Sequence, residues 1–304
     1  MIHCHRWREI EISSPADLDG SRKVFPVLRK VAVSTWSHAL SKITIVDAPL
    51  LCEASIAANY TTWRDVRLPW VQLTSLSLET FDALASCLFI LRHCPKLHTL
   101  KYRAVQAPST LILDPPITLE SLNSLEVYNS CCIIPHLTLP ALHQLTLSME
   151  IASAIDPLRA LLSRSSFQLQ QLTIILLKND RTKSDELKLL HQLFPTVTDL
   201  KLEIRAVTGL HRIIGSLSSL ETLPLVKNLT IDAVRVRDEY DSLLEVLRTQ
   251  CSPDAGTQTL ERFGLILCPQ TDPGSPSAST PLPKSAAAQF GALAKSGLTC
   301  HISL

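Results

Sequence analysis

Apolar residues recur along the chain in a short phrase, L-x-x-L-x-L, whose last two leucine positions point to one side of an extended segment. The pattern is clearest between residues 73 and 105. Leu73, Leu76 and Leu78 make one copy, Phe81, Leu84, Leu88 and Leu91 follow at helical spacing, and Leu97, Leu100 and Tyr102 make the next copy. Thr80 is a candidate cap for the helical segment and Pro95 a stop. A strand, a return segment and a second strand in so short a stretch cannot bury their apolar face alone, so the unit must stack on copies of itself.

The copies are present. They read Trp7, Ile10, Ile12; Leu28, Val31, Val33; Leu51, Ala54, Ile56; the two above; Leu122, Leu125, Val127; Leu142, Leu145, Leu147; Leu169, Leu172, Ile174; Val197, Leu200, Leu202; Val226, Leu229, Ile231; and Leu260, Phe263, Leu265. First positions advance by 21, 23, 22, 24, 25, 20, 27, 28, 29 and 34 residues. Leucine-rich repeats run roughly 20 to 29 residues per unit, so only the last step lies outside the range. The fold expected over residues 1–304 is therefore α/β, a single irregular leucine-rich-repeat solenoid with parallel strands on its concave face and helices, extended segments or 3₁₀ turns on its convex face. Helices are predicted over Ile155–Leu162, Ser184–Leu193, Leu210–Leu217 and Glu239–Leu247, where the returns are long enough to hold them. Two further strand-like phrases, at Leu40, Ile43, Ile45 and at Trp63, Val66, Leu68, lie too close to their neighbours for a parallel crossover and are placed on the rim or convex side. The hexapeptides Trp7–Ile12 and Trp63–Leu68 nearly match, which points to internal duplication.

Residues 269–284, PQTDPGSPSASTPLPK, lack any apolar period and read as a disordered surface loop. Residues 285–304 read as a finishing helix and strand, with Gly297 as the helix stop. At the other end the first phrase starts at Trp7 with no cap before it, so a partner or an upstream domain is expected to cover that edge.

Lys plus Arg total 29 against 28 Asp plus Glu, a net charge of +1, which gives no general attraction to nucleic acid or an anionic membrane. No secretory signal and no long apolar run is visible, so an intracellular protein, cytoplasmic or nuclear, is expected. Nine cysteines in such a chain read as reduced, buried thiols rather than a disulfide framework. No Walker loop, G-x-S-x-G, G-x-G-x-x-G or H-E-x-x-H occurs, so neither an enzyme nor a cofactor is expected. His3, Cys4 and His5 with Cys52 lack the paired spacing of a metal site, and Cys131–Cys132 near His136 reads as core filling rather than a nucleophile.

Binding has more support. Residues between the leucines form the opposite face of each strand, and read in rows they are mostly short and polar. Lys101, Arg103, Glu126 and Tyr128 fall on adjacent strands, and Asp199, Lys201 and Glu203 on a later one, making these seven the candidate residues for a protein partner. Tyr and Arg are the types most often found as interface anchors. The Asn or Cys that should follow each strand by three positions is present at Asn59 and Cys268 but replaced at Phe81, Val105, Ser130, Glu150, Leu177 and Arg205.

Three runs, Ile43–Ile56, Leu68–Leu78 and Cys87–Leu100, resemble the leucine-rich-repeat region of the large F-box-like protein family of mushroom-forming fungi, and His3–Ile12 is similar to that family's first repeat. The resemblance covers about residues 3 to 105. It implies a substrate-recognition region of a ubiquitin ligase receptor, with docking on the cullin-RING adaptor requiring an F-box that would lie upstream of Trp7. A stand-alone repeat scaffold without a ubiquitin role is the alternative reading.

Overall fold

A computed structural model describes residues 6–13, 24–35, 43–58, 66–80, 84–105, 115–176, 184–205, 225–233, 240–250, 260–267, 284–295 and 298–303. The chain divides into two compact units, Met1–His143 with Asp156–Phe167, and Gln144–Ile155 with Gln168–Leu304.

The strands of the first unit are β1 (Glu9–Ile12), β2 (Lys30–Thr35), β3 (Ile43–Thr44), β4 (Glu53–Ala58), β5 (Val66–Arg67), β6 (Ser75–Thr80), β7 (Thr99–Ala104), β8 (Ile117–Thr118), β9 (Ser124–Tyr128) and β10 (Leu137–Thr138). Its main ladder is parallel throughout, in the order β1-β2-β4-β6-β7-β9. Ile10 pairs with Val31, Val31 with Ala54, Ala54 with Leu76, Leu76 with Leu100 and Leu100 with Leu125. These partners are the corresponding leucine positions of successive phrases, so the sequence steps are the register steps. The cause is burial: Val31, Leu76, Leu100 and Leu125 are at most 1% exposed, and a slip of one residue would turn them to the polar face.

In the second unit β11 (Gln144–Ser148), β12 (Gln171–Leu176), β13 (Asp199–Ile204), β14 (Asn228–Ala233), β15 (Arg262–Leu267) and β16 (Thr299–Ser303) form a parallel ladder in chain order. Leu145, Leu172, Leu200, Leu229, Phe263 and Cys300 stand in one register row.

Five helices occur among the described residues: α1 (Leu84–Leu91), α2 (Ile151–Arg164), α3 (Ser184–Leu193), α4 (Tyr240–Gln250) and α5 (Lys284–Lys295). α3 has the expected bounds, α2 extends beyond its own at both ends, and α4 begins at Tyr240 rather than Glu239 and runs on to Gln250. α2 also contains Pro157, whose ring nitrogen cannot donate to the Ser153 carbonyl one turn earlier. The expected helix at Leu210–Leu217 and nearly all of the loop over residues 269–284 lie outside the described residues. Thr80, read as a helix cap, is instead the buried last residue of β6. Short returns use 3₁₀ turns at Trp70–Gln72 and Ile134–His136.

Two small parallel ladders lie on the return path. β3 pairs with β5, which gives the Ile43 and Val66 phrases their place, and β8 pairs with β10, which the spacing did not show. Arg164 closes this part by donating from its guanidinium to the carbonyls of Ile134 and Leu137 (Nη2, 3.3 and 3.0 Å).

Five phrases enter their strand through the same proline turn, and Leu73 and Leu122 make the same bond, to the carbonyls of Trp70 and Leu119, without a proline. The first-position N–H of Leu28, Leu51, Leu97, Leu142 and Val197 donates to the carbonyl three residues back, on Phe25, Ala48, Cys94, Leu139 and Phe194, at 3.1 to 3.4 Å. The second turn residue is proline in all five, at 26, 49, 95, 140 and 195, where its fixed φ suits the turn and its missing N–H is not needed. The acceptor residues are all buried. One residue after the first position of most phrases, a backbone carbonyl accepts two N–H groups from the next one, as in Arg8 from Arg29 and Lys30, Arg29 from Cys52 and Glu53, Cys52 from Thr74 and Ser75, and Thr74 from His98 and Thr99. Backbone carbonyls thus tie the repeats together at the strand entrances.

Candidate functional site

The polar faces follow from the same alternation that buries the leucines. In β7 and β9 the burial pattern alternates residue by residue, so Lys101 and Arg103 emerge beside Glu126 and Tyr128 while Tyr102 and Val127 point into the core. Register pairs Lys101 with Glu126 and Arg103 with Tyr128. The Lys101 ammonium and the Arg103 guanidinium carbon each lie 5.0 Å from the centre of the Tyr128 ring. The Tyr128 hydroxyl donates to Glu126 Oε2 at 2.8 Å, and Lys101 Nζ lies 3.7 Å from the same oxygen. The four candidates on β7 and β9 therefore form one cluster, two cations held against one aromatic ring with one carboxylate fixing both the hydroxyl and the lysine. With Lys101 43% and Glu126 32% exposed, the cluster is open to an incoming surface.

Directly after it the backbone turns sharply. Asn129 has φ 66°, the left-handed region, and Ser130 N donates to the Tyr128 carbonyl at 2.9 Å across it. Asn tolerates this conformation better than most residues because its short polar side chain can bond locally. Behind the patch the Tyr102 hydroxyl lies 3.2 Å from Cys132 Sγ.

The second unit carries the remaining candidates. Lys201 Nζ lies 2.7 Å from Glu203 Oε1, and Arg205 Nη2 lies 3.1 Å from Oε2. Burial alone would raise the Glu203 carboxyl, but hydrogen bonds from Lys201 and Arg205 and their charges outweigh it and hold it below the ordinary carboxylate range. Asp199 accepts from Thr198 Oγ1 at 2.7 Å and from Asn228 Nδ2 at 2.6 Å, its register partner on β14. Arg205 and Asn228 lie outside the seven candidates. The register would have found Asn228, since it faces Asp199 across one strand step, and Arg205 continues the alternation of Lys201 and Glu203.

Among the described residues no group of three or more His, Cys, Asp or Glu could hold a metal ion, and no helix is long and apolar enough to cross a membrane. His3, Cys4 and His5 lie outside the described residues. Burial pushes the Cys131 thiol up, as does neighbouring Cys132, which works against a thiolate there.

The fold and these clusters define an α/β protein of stacked parallel strands, compatible with a solenoid-like arrangement, with charged and aromatic side chains on the strand face away from the core. No family model matches the chain, and no curated protein matches it.

Proposed function

We propose that the chain is a leucine-rich-repeat protein that binds another protein through its polar strand face, without turnover, and that it is the substrate-recognition region of an F-box-like ubiquitin ligase receptor inside the cell. One observation carries the binding half: Lys101, Arg103, Glu126 and Tyr128 converge on one half-buried polar face. Their mutual contacts hold long side chains in place before a partner arrives, which lowers the ordering cost of association. The near-even spacing of the leucine phrases supports the repeat assignment, and the likeness of residues 3 to 105 to the fungal repeat region supports the ligase half.

A pull-down with the cullin-RING adaptor tests the reading, using the chain alone and a version extended by its own upstream coding sequence. Capture by the extended version alone, with ubiquitination of a bound protein that fails in the K101A/R103A/Y128A variant, is the expected result. Absence of adaptor capture in both sinks the ligase half. Unchanged binding by the triple variant sinks the assignment of this face.

A further inference from the structure

Arg103 differs from every other charged member of the two clusters. Lys101 has Glu126, Glu203 has two cations, and Asp199 has Thr198 and Asn228. The Arg103 guanidinium carbon lies 5.0 Å from the centre of the Tyr128 ring, but among the described residues the group reaches no hydrogen-bond acceptor and no carboxylate within ion-pair distance. Its five N–H donors are available while the group lies over a ring whose own hydroxyl is tied to Glu126. A guanidinium fixed in this way matches the planar geometry of a carboxylate, which it can bind through two parallel hydrogen bonds.

We infer that Arg103 is the specificity anchor of this face and takes one Asp or Glu carboxylate from the partner in a forked pair. This rests on the proposed use of the face for protein binding. Charge decides between a carboxylate and a phosphorylated residue. Glu79 occupies the register position beside Arg103 on β6, and Glu126 lies one row away on β9. A phosphate near two negative charges would meet more repulsion than a single carboxylate while gaining the same fork.

The test is a selection of random 12-residue displayed peptides against the whole chain, with binders sorted by whether Y128A abolishes their binding. The expected outcome is that Tyr128-dependent binders share an Asp or Glu, and that their affinity falls at least tenfold in both R103A and R103K. The lysine variant keeps the charge but loses the fork, so equal binding by R103K would overturn the anchor. Tyr128-dependent binders without an acidic residue, or binders improved by replacing that residue with phosphoserine, overturn the inference while leaving the face as a binding surface. If no binder depends on Tyr128, the face itself is refuted and the anchor with it. Unchanged circular dichroism of each variant shows that a loss reflects the surface and not the fold.

Discussion

The Arg103 guanidinium and the Tyr128 ring lie 5.0 Å apart on adjacent strands, and Lys101 approaches the same ring at the same distance. One aromatic side chain thus holds two like charges that would otherwise repel each other. At exposed sites each such contact contributes about 0.5–1 kcal/mol. Tyr128→Leu loses both ring contacts and the hydroxyl bond to Glu126, and should therefore lower stability by about 2–3 kcal/mol. Tyr128→Phe keeps the ring and loses only the bond to Glu126, about 1 kcal/mol. Urea denaturation of the two variants checks the order; a leucine variant as stable as the phenylalanine one would show that the ring contacts contribute nothing.

Glu203 links stability to pH in the second unit. Its folded-state pKa is depressed, so the ionised carboxylate contributes stability that is fully present above the unfolded value of about 4.3 and is lost as pH falls through the lower folded value. Glu203→Gln should flatten the fall in stability below about pH 5. Because Arg205 is mostly exposed, 1 M salt should shrink the difference between the two proteins. Parallel acid titrations monitored by circular dichroism read this directly, and identical profiles would remove Glu203 from the account.

Asn129 tests the backbone next to the cluster. Its positive φ costs an ordinary L residue about 1–2 kcal/mol, and glycine nothing in sterics. Asn129→Ala should lower the melting temperature, whereas Asn129→Gly should stay near the parent. The reverse order would mean that the Asn129 side chain, not its backbone, matters here.

Buried thiols should be silent in the folded protein. Burial pushes Cys94 up to about 12 and raises Cys87 as well, and the thiolate is the reactive form. Iodoacetamide at pH 8 should leave both unmodified in native protein and label both in urea, as read by mass spectrometry. Rapid native labelling of Cys87 would contradict its place in the core.

The main ladders were legible because each leucine phrase carries its own register: two inward leucines at i and i+2 leave a strand one way to face the core. β8 and β10 were not, since Ile117–Thr118 and Leu137–Thr138 each offer one inward apolar residue, too few for alternation to show. The entry turn was visible in principle, in prolines two residues before Leu28, Leu51, Leu97, Leu142 and Val197. At the site, rows of polar residues could be read, and Lys101 and Tyr128 fell on adjacent strands. Their meeting over one ring could not be read, because Lys101 pairs in register with Glu126 and reaches Tyr128 diagonally. Arg205 stands where the repeat pattern places asparagine, and that pattern carries no sign of its ion pair with Glu203.

The doubly accepting carbonyls at the strand entrances bear on how such a chain can change over generations. Lys227 accepts from Glu261 and Arg262 as Arg8 accepts from Arg29 and Lys30, although the register partners Leu229 and Phe263 are 34 residues apart and Ile10 and Val31 only 21. Contacts made by main-chain atoms do not depend on side-chain identity, and they fix each strand at its start whatever length of chain lies between. Insertions and deletions in the return segments are therefore absorbed within one unit, and a gene built this way can diverge in length and surface while its strands stay aligned.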